Sequence, residues 1–272
     1  IDISFVILFP LVTKILVTFM SLEDVSDMSV HYIPKNFTLQ NYINAWNFLE
    51  MEDLLFNSLF YPLLTAVVQT ISTTLVAYGF ARFEFKGKNF FFVLVILGMV
   101  IPPDITLMPL YASFRNLHIL NTPFPYILLG ATCTGLKNGL YIFILRQYFR
   151  GLPKELEEAA YVDGASVPRA FISVFLSSAR QVMMTVFLFS FVWQWLDDLY
   201  ASVFLQSVPV ITTELSRLYD VTSGVGVGIS NITEFSLMRN CGLLFLIFPM
   251  LVLYLFCQKY FTESLERTGL VV

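Results

Sequence analysis

Residues 152–177 read LPKELEEAAYVDGASVPRAFISVFLS, a charged, helix-forming island set between two long apolar runs. Pro153 suits the first turn of a helix, where its missing N–H would be unpaired anyway. Glu155, Glu157 and Glu158 then fall in the first turns, where carboxylates favour the positive end of the helix dipole. The pattern predicts a short helix over 153–163. Leu156, Ala159 and Ala160 recur at three and four residues and so share one face, small and apolar enough for a partner to come close. Gly164 supplies a residue able to take positive φ just past the helix end. Ser166 is a candidate N-cap, and Pro168 falls in the first turn of the next helix. Helix, tight turn and helix make a protruding elbow over 153–168. Helix–turn–helix connectors are also common as plain structural units, and the physics alone leaves that alternative open.

Working outward, the chain is 57% apolar and only 13% charged, with 28 Phe in 272 residues and a mean hydropathy of +0.72. Such a composition belongs to a multispanning membrane protein. Crossing a bilayer takes about 20 mostly apolar residues, and six stretches qualify: 3–20, 54–81, 90–110, 124–149, 182–204 and 241–261. The expected fold is all-α and polytopic. Pro102-Pro103-Asp104 should stop or bend the third span, and Gly135, Lys137 and Gly139 interrupt the fourth. Broken helices survive at membrane depth only where other protein or a water-filled cavity satisfies the freed backbone, which points to a conduit lined by parts of these two spans.

Lys and Arg set the orientation. With the N-terminus inside, the inner loops and tail carry Arg82, Lys86, Lys88, Arg146, Arg150, Lys154, Arg169, Arg180, Lys259 and Arg267, ten of sixteen basic residues. The outer segments hold Lys35, Arg115, Arg217 and Arg239. Both termini are expected inside, with the elbow in the cytoplasm. The outer segments 21–53 and 206–240 exceed simple turns. Within the first, Phe37-Thr38-Leu39-Gln40-Asn41-Tyr42 predicts a small helix capped by Thr38. Long loops in compact proteins bind or gate, or serve as solvated connectors. The first residue is Ile, so a preceding segment is expected to be missing and no signal sequence can be judged.

Individual residues narrow the chemistry. Lys137 and Lys14 are the basic residues well inside predicted spans. An intramembrane charge faces a cavity or partner by default, so Lys137, with neighbouring Asn138, is a candidate for the translocation path; a Lys stem can also reach the interface. Trp193 and Trp195 could offer stacking surfaces to a ligand or anchor the membrane interface. Asp197 and Asp198 lie near the outer end of the fifth span, either holding a partner or solvated. Cys133, Cys241 and Cys257 lack metal-ligand spacing, and His31 and His118 have no clustered partner. No phosphate-binding Gly-x-x-x-x-Gly-Lys-Ser/Thr loop or catalytic constellation is present, so no catalytic residue, metal site or enzyme activity is expected. Nothing suggests nucleic acid as a partner.

Glu158-Ala159-Ala160, three residues, Gly164, nine residues, Val174-Phe175-Leu176 resembles the EAA loop of ABC-importer permeases. Val174 stands for the pattern's Ile. Ser177 replaces its Pro, which predicts a straighter entry to the fifth span. Similar agreement runs through Ala77-Tyr78-Gly79-Phe80-Ala81-Arg82-Phe83-Glu84-Phe85-Lys86-Gly87, Ile101-Pro102-Pro103, Leu120-Asn121-Thr122, Leu145-Arg146-Gln147-Tyr148-Phe149, Phe189-Ser190-Phe191 and Gln258-Lys259-Tyr260-Phe261. Together these resemble the second permease subunit of carbohydrate ABC importers, the maltose-type group. Two phrases depart from it. Trp195-Leu196-Asp197 lacks the group's Asn, and Thr262-Glu263-Ser264-Leu265 replaces a more Gly-rich ending.

The resemblance implies a single permease domain over 1–272 in the cell membrane, with six spans and both termini inside. Such a half-channel pairs with a related second permease, two ATPase subunits and an extracytoplasmic solute-binding protein that delivers a sugar or oligosaccharide. Glu155, Leu156, Glu158, Ala159, Ala160, Asp163 and Gly164 would form the coupling elbow in a cleft on the ATPase. ATP and Mg would sit on that partner, and this chain would bind no cofactor. In such systems the partner permease can hold most cargo contacts. Alternatives are a permease for glycerol phosphates, polyamines or peptides, and a secondary transporter. The last needs intramembrane ionisable groups for ion coupling, and only Lys14 and Lys137 are candidates.

Overall fold

A computed structural model describes the backbone of residues 2–223 and 229–269 and the side chains of 4–220 and 233–258. In chain order the helices are α1 (Asp2–Thr18), α2 (Leu22–Ser26), α3 (Gln40–Phe48), α4 (Met51–Arg82), α5 (Lys88–Val100), α6 (Pro103–Asn116), α7 (Phe124–Ala131), α8 (Asn138–Gly151), α9 (Glu155–Val162) and α10 (Val167–Ala170). A π-helical turn (Phe171–Leu176) leads into α11 (Ser177–Trp195), followed by α12 (Leu199–Phe204), α13 (Ile211–Ser223) and α14 (Ile229–Gly269). One isolated bridge, Met20 with Phe37, is the sole extended pairing among the described residues.

Three helical runs among the described residues are long and apolar enough to cross a membrane: Met51–Arg82, Val167–Trp195 and Thr233–Gln258. The pair α5 and α6 would make a fourth, bent by 99° at its break. That bend falls at Ile101-Pro102, as the Pro-Pro pair predicts, because the residue before a proline is pushed out of helical geometry. The fourth expected span is likewise two helices, α7 and α8, separated by 132–137. Ser4–Thr18 is a shorter apolar helix.

The fifth span departs from its expected 182–204. The elbow's second helix does not end below it but runs through the π turn into α11, giving one helical run over 167–195. Leu196 closes that run, and 199–204 is a separate short helix. Ser177, lacking proline's ring and retaining its N–H, lets the helix continue. The last long helix begins at Ile229, well before the expected 241, so the described residues of 206–240, expected as a loop, are largely helical. Residues 224–228 of that segment, and the side chains of Lys259, Tyr260, Phe261, the 262–265 phrase and Arg267, lie outside the described residues.

The chain divides into two compact units. The first comprises residues 1–58 and 207–255. Its segment 21–53 is tied down: the Asn41 amide donates to the carbonyls of Thr18 and Met20 at 2.9 and 2.7 Å. Asp24, buried, accepts from the Asn36 backbone N–H at 2.8 Å. Thr38 accepts from the Gln40 N–H at 3.0 Å, so it serves the start of α3 from one residue before the N-cap, which is Leu39 and not the expected Thr38. Tyr42, Ala45 and Trp46 of α3 pack on Met238, Cys241 and Phe245 of α14.

The second unit comprises residues 59–206 and 256–272. Its core is built by α4, α8, the π turn and α11 around Tyr78, Tyr141, Leu145, Phe149, Phe175 and Val186. Helices α5 and α8 approach closely at Gly139, where an added Cβ would lie 2.6 Å from Met99 Cγ and 2.9 Å from the Val95 carbonyl oxygen. Only glycine fits so tight an approach.

Candidate coupling elbow and membrane cavity

The elbow forms, with one correction: the expected helix over 153–163 runs over Glu155–Val162, so Pro153 lies just before the N-cap Lys154 and not in the first turn. Lys154 receives the first helical bonds, from the N–H groups of Glu157 and Glu158 at 2.9 and 3.0 Å. At the far end Gly164 takes φ +80°. Its N–H bonds to the Tyr161 carbonyl at 3.0 Å, and the Ala165 N–H to that of Ala160 at 2.9 Å. This pair of bonds is a Schellman motif, which requires the left-handed residue that glycine supplies. Ser166 is extended (φ −73°, ψ 161°) at the start of α10, and the Ala170 N–H returns to its carbonyl at 2.8 Å. Ser166 thus caps by backbone geometry, with no side-chain bond.

Of the seven elbow residues named from sequence, Glu155, Leu156, Glu158, Ala159, Asp163 and Gly164 are exposed and Ala160 is half-buried. The apolar residue that stands out furthest is Val162, at 87% exposure against 41% for Leu156. Glu155, Glu158, Ala159 and Val162 fall at i, i+3, i+4 and i+7, one outward stripe of α9. The presented face is therefore Ala159 and Val162 flanked by two carboxylates, with Leu156 at its edge. The third carboxylate, Glu157, turns inward.

Glu157 meets Arg82, at the end of α4, across 3.6 Å. The Arg82 guanidinium is buried, donates to the Leu152 carbonyl at 2.8 Å and lies 4.8 Å from the Phe175 ring centre. One side chain thus joins the end of α4, the root of the elbow and the π turn. Tyr161 donates to Glu157 at 2.9 Å, and this bond raises the phenol's pKa above its ordinary value. The sequence marks Arg82 as an inner base within the 77–87 phrase and gives no sign of what it pairs with. Its partner lies in another helix, so no local pattern announces the pair.

In the membrane half of this unit, the break over 132–137 is held by side chains from other helices. Ser72 donates to the Gly130 carbonyl at 2.6 Å, and the Gln69 amide to that of Leu136 at 3.2 Å. The Ser190 hydroxyl donates to Gln69 Oε1, and the Asn138 amide donates to the Leu129 carbonyl at 3.3 Å. Cys133 and Lys137 both take left-handed backbone, φ +56° and +61°. Such non-glycine residues cost of order 1–3 kcal/mol each and persist only where surroundings over-determine them.

A cavity of about 590 Å³ opens between this break and the one at 101–102. Lys137 and Asn138 line it. The Lys137 ammonium lies 4.6 Å from the Trp193 ring centre, a cation–π contact that brings two sequence candidates together. Trp195 is placed otherwise: 2% exposed and stacked on Phe191, it packs this chain's interior. Trp193 and Trp195, two positions apart on a helix, point to widely separated faces.

Beyond the end of α11, Asp197 caps α12, accepting from the N–H groups of Tyr200 and Ala201 at 3.3 and 3.1 Å. Burial raises its pKa to about 6, and the charge of Asp198 adds to that, against the two amide bonds. A carboxyl raised in the folded state holds its proton there, so its stabilising contribution is present below about pH 4 and lost as pH rises through 6. Asp197→Asn should therefore gain melting temperature relative to wild type as pH rises from 4.5 to 7.5. Tryptophan fluorescence on heated detergent-purified protein measures this; a difference constant with pH would refute the buried carboxyl.

The helical architecture, with a braced elbow at one end and a cavity between broken spans, defines a membrane transport component of the ABC-importer permease class. A family model described as binding-protein-dependent transport system inner membrane component matches residues 71–259, and the chain belongs to that family. A probable ABC transporter permease protein of Pyrococcus horikoshii is 34% identical over 86% of this chain and 82% of its own length. The melibiose/raffinose/stachyose import permease MelC of Bacillus subtilis is 30% identical over 90% and 86%. The arabinooligosaccharides transport system permease AraQ of Halalkalibacterium halodurans is 27% identical over 98% and 92%. Among solved structures, a bacterial ABC transporter that imports the acidic polysaccharide alginate superposes with TM-score 0.80 at 20% identity, covering 96% of this chain and 92% of its own, which establishes the shared fold. The protein is a multi-pass inner-membrane component.

Proposed function

We propose that this chain is the pore-forming half of a sugar or oligosaccharide importer, with six spans, both termini inside and one permease domain over 1–272. A solute-binding protein delivers the cargo from outside, a related second permease completes the path, and two ATPase subunits, which hold ATP and Mg, drive it. The elbow sits in a cleft on the ATPase, and closure of the ATPase pair moves it as a rigid peg. The observation that carries this reading is the exposed stripe of Glu155, Glu158, Ala159 and Val162 on a helix braced by Arg82. A soluble face held rigidly at the end of a span fits the transmission of a push. The names of MelC and AraQ support carbohydrate as cargo.

Purification of the chain from its own membrane should recover a second permease and an ATPase, and crosslinks from Val162→Cys should land on the ATPase. A chain recovered alone, with Val162 bare of any neighbour, would sink the coupling reading. The place of Lys137 in the cavity wall, with Trp193 against its ammonium, supports a role for both on the path. Lys137→Ala should lower uptake several-fold with complex recovery unchanged. Normal uptake would remove Lys137 from the path.

A further inference from the structure

The cavity between the two broken spans has features that helix packing does not account for. Asn138 is 1% exposed, and while its amide nitrogen is spent on the Leu129 carbonyl, its Oδ1 has no partner. A buried, unpaired acceptor costs about 1–3 kcal/mol. Asn138 lines the cavity. Two more polar groups on the wall, the hydroxyls of Thr132 and Thr134, lie 2.8 Å apart and exposed. Apolar side chains, Val95 and Met99 among them, make up much of the remaining lining. A volume of about 590 Å³ falls within the roughly 300–1,000 Å³ of small-molecule sites.

The Thr132 hydroxyl donates to the Leu128 carbonyl at 2.7 Å, so Thr134 donates to Thr132 and the pair keeps acceptor capacity for a ligand. An acceptor that lacks a donor, hydroxyls with lone pairs to spare and apolar side chains in the same lining suit a ligand with hydroxyl edges and C–H faces. The Lys137 ammonium is already engaged over the Trp193 ring, so the wall offers hydroxyl chemistry rather than a free cation for a carboxylate. We propose that this cavity is a subsite, within this subunit, for one neutral sugar ring of the transported oligosaccharide. A ring hydroxyl donates to Asn138 Oδ1, a second hydroxyl bonds the Thr132–Thr134 pair, and the C–H face lies on Val95 and Met99. The subsite rests on the sugar-import reading above. It goes beyond that reading in placing direct cargo contacts here rather than in the partner permease alone.

A native reporter sits in the wall, since Cys133 lines the same cavity and is half-exposed. The complete transporter would be reconstituted in vesicles with Cys241 and Cys257 replaced by Ala. Cys133 is then labelled by a small methanethiosulfonate reagent with and without raffinose, an arabinooligosaccharide or diacetylchitobiose. With a sugar that the vesicles import, labelling should slow several-fold. Thr134→Val should raise the half-protecting sugar concentration about 5–10-fold, the loss of one hydrogen bond of about 1–1.4 kcal/mol. Asn138→Leu should abolish protection; should that variant fail to assemble, Thr134→Val decides. Import without protection of Cys133, or protection that Thr134→Val leaves unchanged, would overturn the subsite and leave the import reading standing. Vesicles that import none of the sugars and show no sugar-stimulated ATP hydrolysis would overturn both.

Discussion

Arg82→Gln is expected to cut sugar uptake by an order of magnitude or more while ATP hydrolysis by the assembled complex continues, so that more nucleotide is spent per sugar carried. The substitution removes the charge facing Glu157, the charged bond to the Leu152 carbonyl and the contact over Phe175. A hydrogen bond to a charged group is worth about 1.5–3 kcal/mol, and a carboxylate left without its cation in a sheltered site adds to the loss. The elbow would still form, because its caps are local, but it would lose its tie to the end of α4. A push on the peg would then be absorbed at its root. Arg82→Lys should recover part of the coupling, since it restores the charge but not the forked geometry. In a double-mutant cycle, Glu157→Gln should cost much less on the Arg82→Gln background than on wild type. Reconstituted uptake and hydrolysis measured together check this. An unchanged ratio of sugar carried to ATP hydrolysed would remove Arg82 from the coupling path.

Gly164→Val is expected to be comparably damaging for a different reason. An added Cβ at Gly164 would meet nothing within 4 Å, so crowding is not at issue. The cost lies in the backbone at φ +80°, which β-branched residues resist most strongly. Loss of that conformation undoes both bonds that close α9 and swings the elbow away from its span. Gly164→Asn should be markedly milder than Gly164→Val, because Asn tolerates the left-handed region. Uptake and ATPase recovery should rank glycine above asparagine above valine. Equal performance of all three would show that the turn is not needed.

The elbow was legible in the sequence because its signals are local: Gly164, Ser166 and Pro168 each specify backbone geometry at their own position, while Pro153 marks the approach to the helix and not its first turn. The two breaks were legible for the same reason, through Pro102-Pro103 and the glycines flanking Lys137. The boundaries of the fifth span were not, since Arg169, Ser173, Ser177, Ser178 and Arg180 dilute the apolar signal of a helix that continues through them. Arg82 pairing with Glu157 was hidden because it joins elements distant in sequence. The left-handed backbone at Cys133 and Lys137 was equally hidden, as neither residue type advertises it. Trp193 and Trp195 show a finer limit. Residue type marks both as candidate aromatic surfaces, and only their angular separation on α11 distinguishes the one against Lys137 from the one in the interior.

The π turn at Phe171–Leu176 fixes an azimuth. Each residue of an α-helix advances the chain by about 100°, and a π turn accommodates extra backbone in one loop of the spiral. The compass bearing of the peg relative to α11 is thus written as a residue count. The same elbow on a helix one residue shorter would aim its valine stripe more than a quarter-circle aside, with every local cap intact and nothing opposite to receive it.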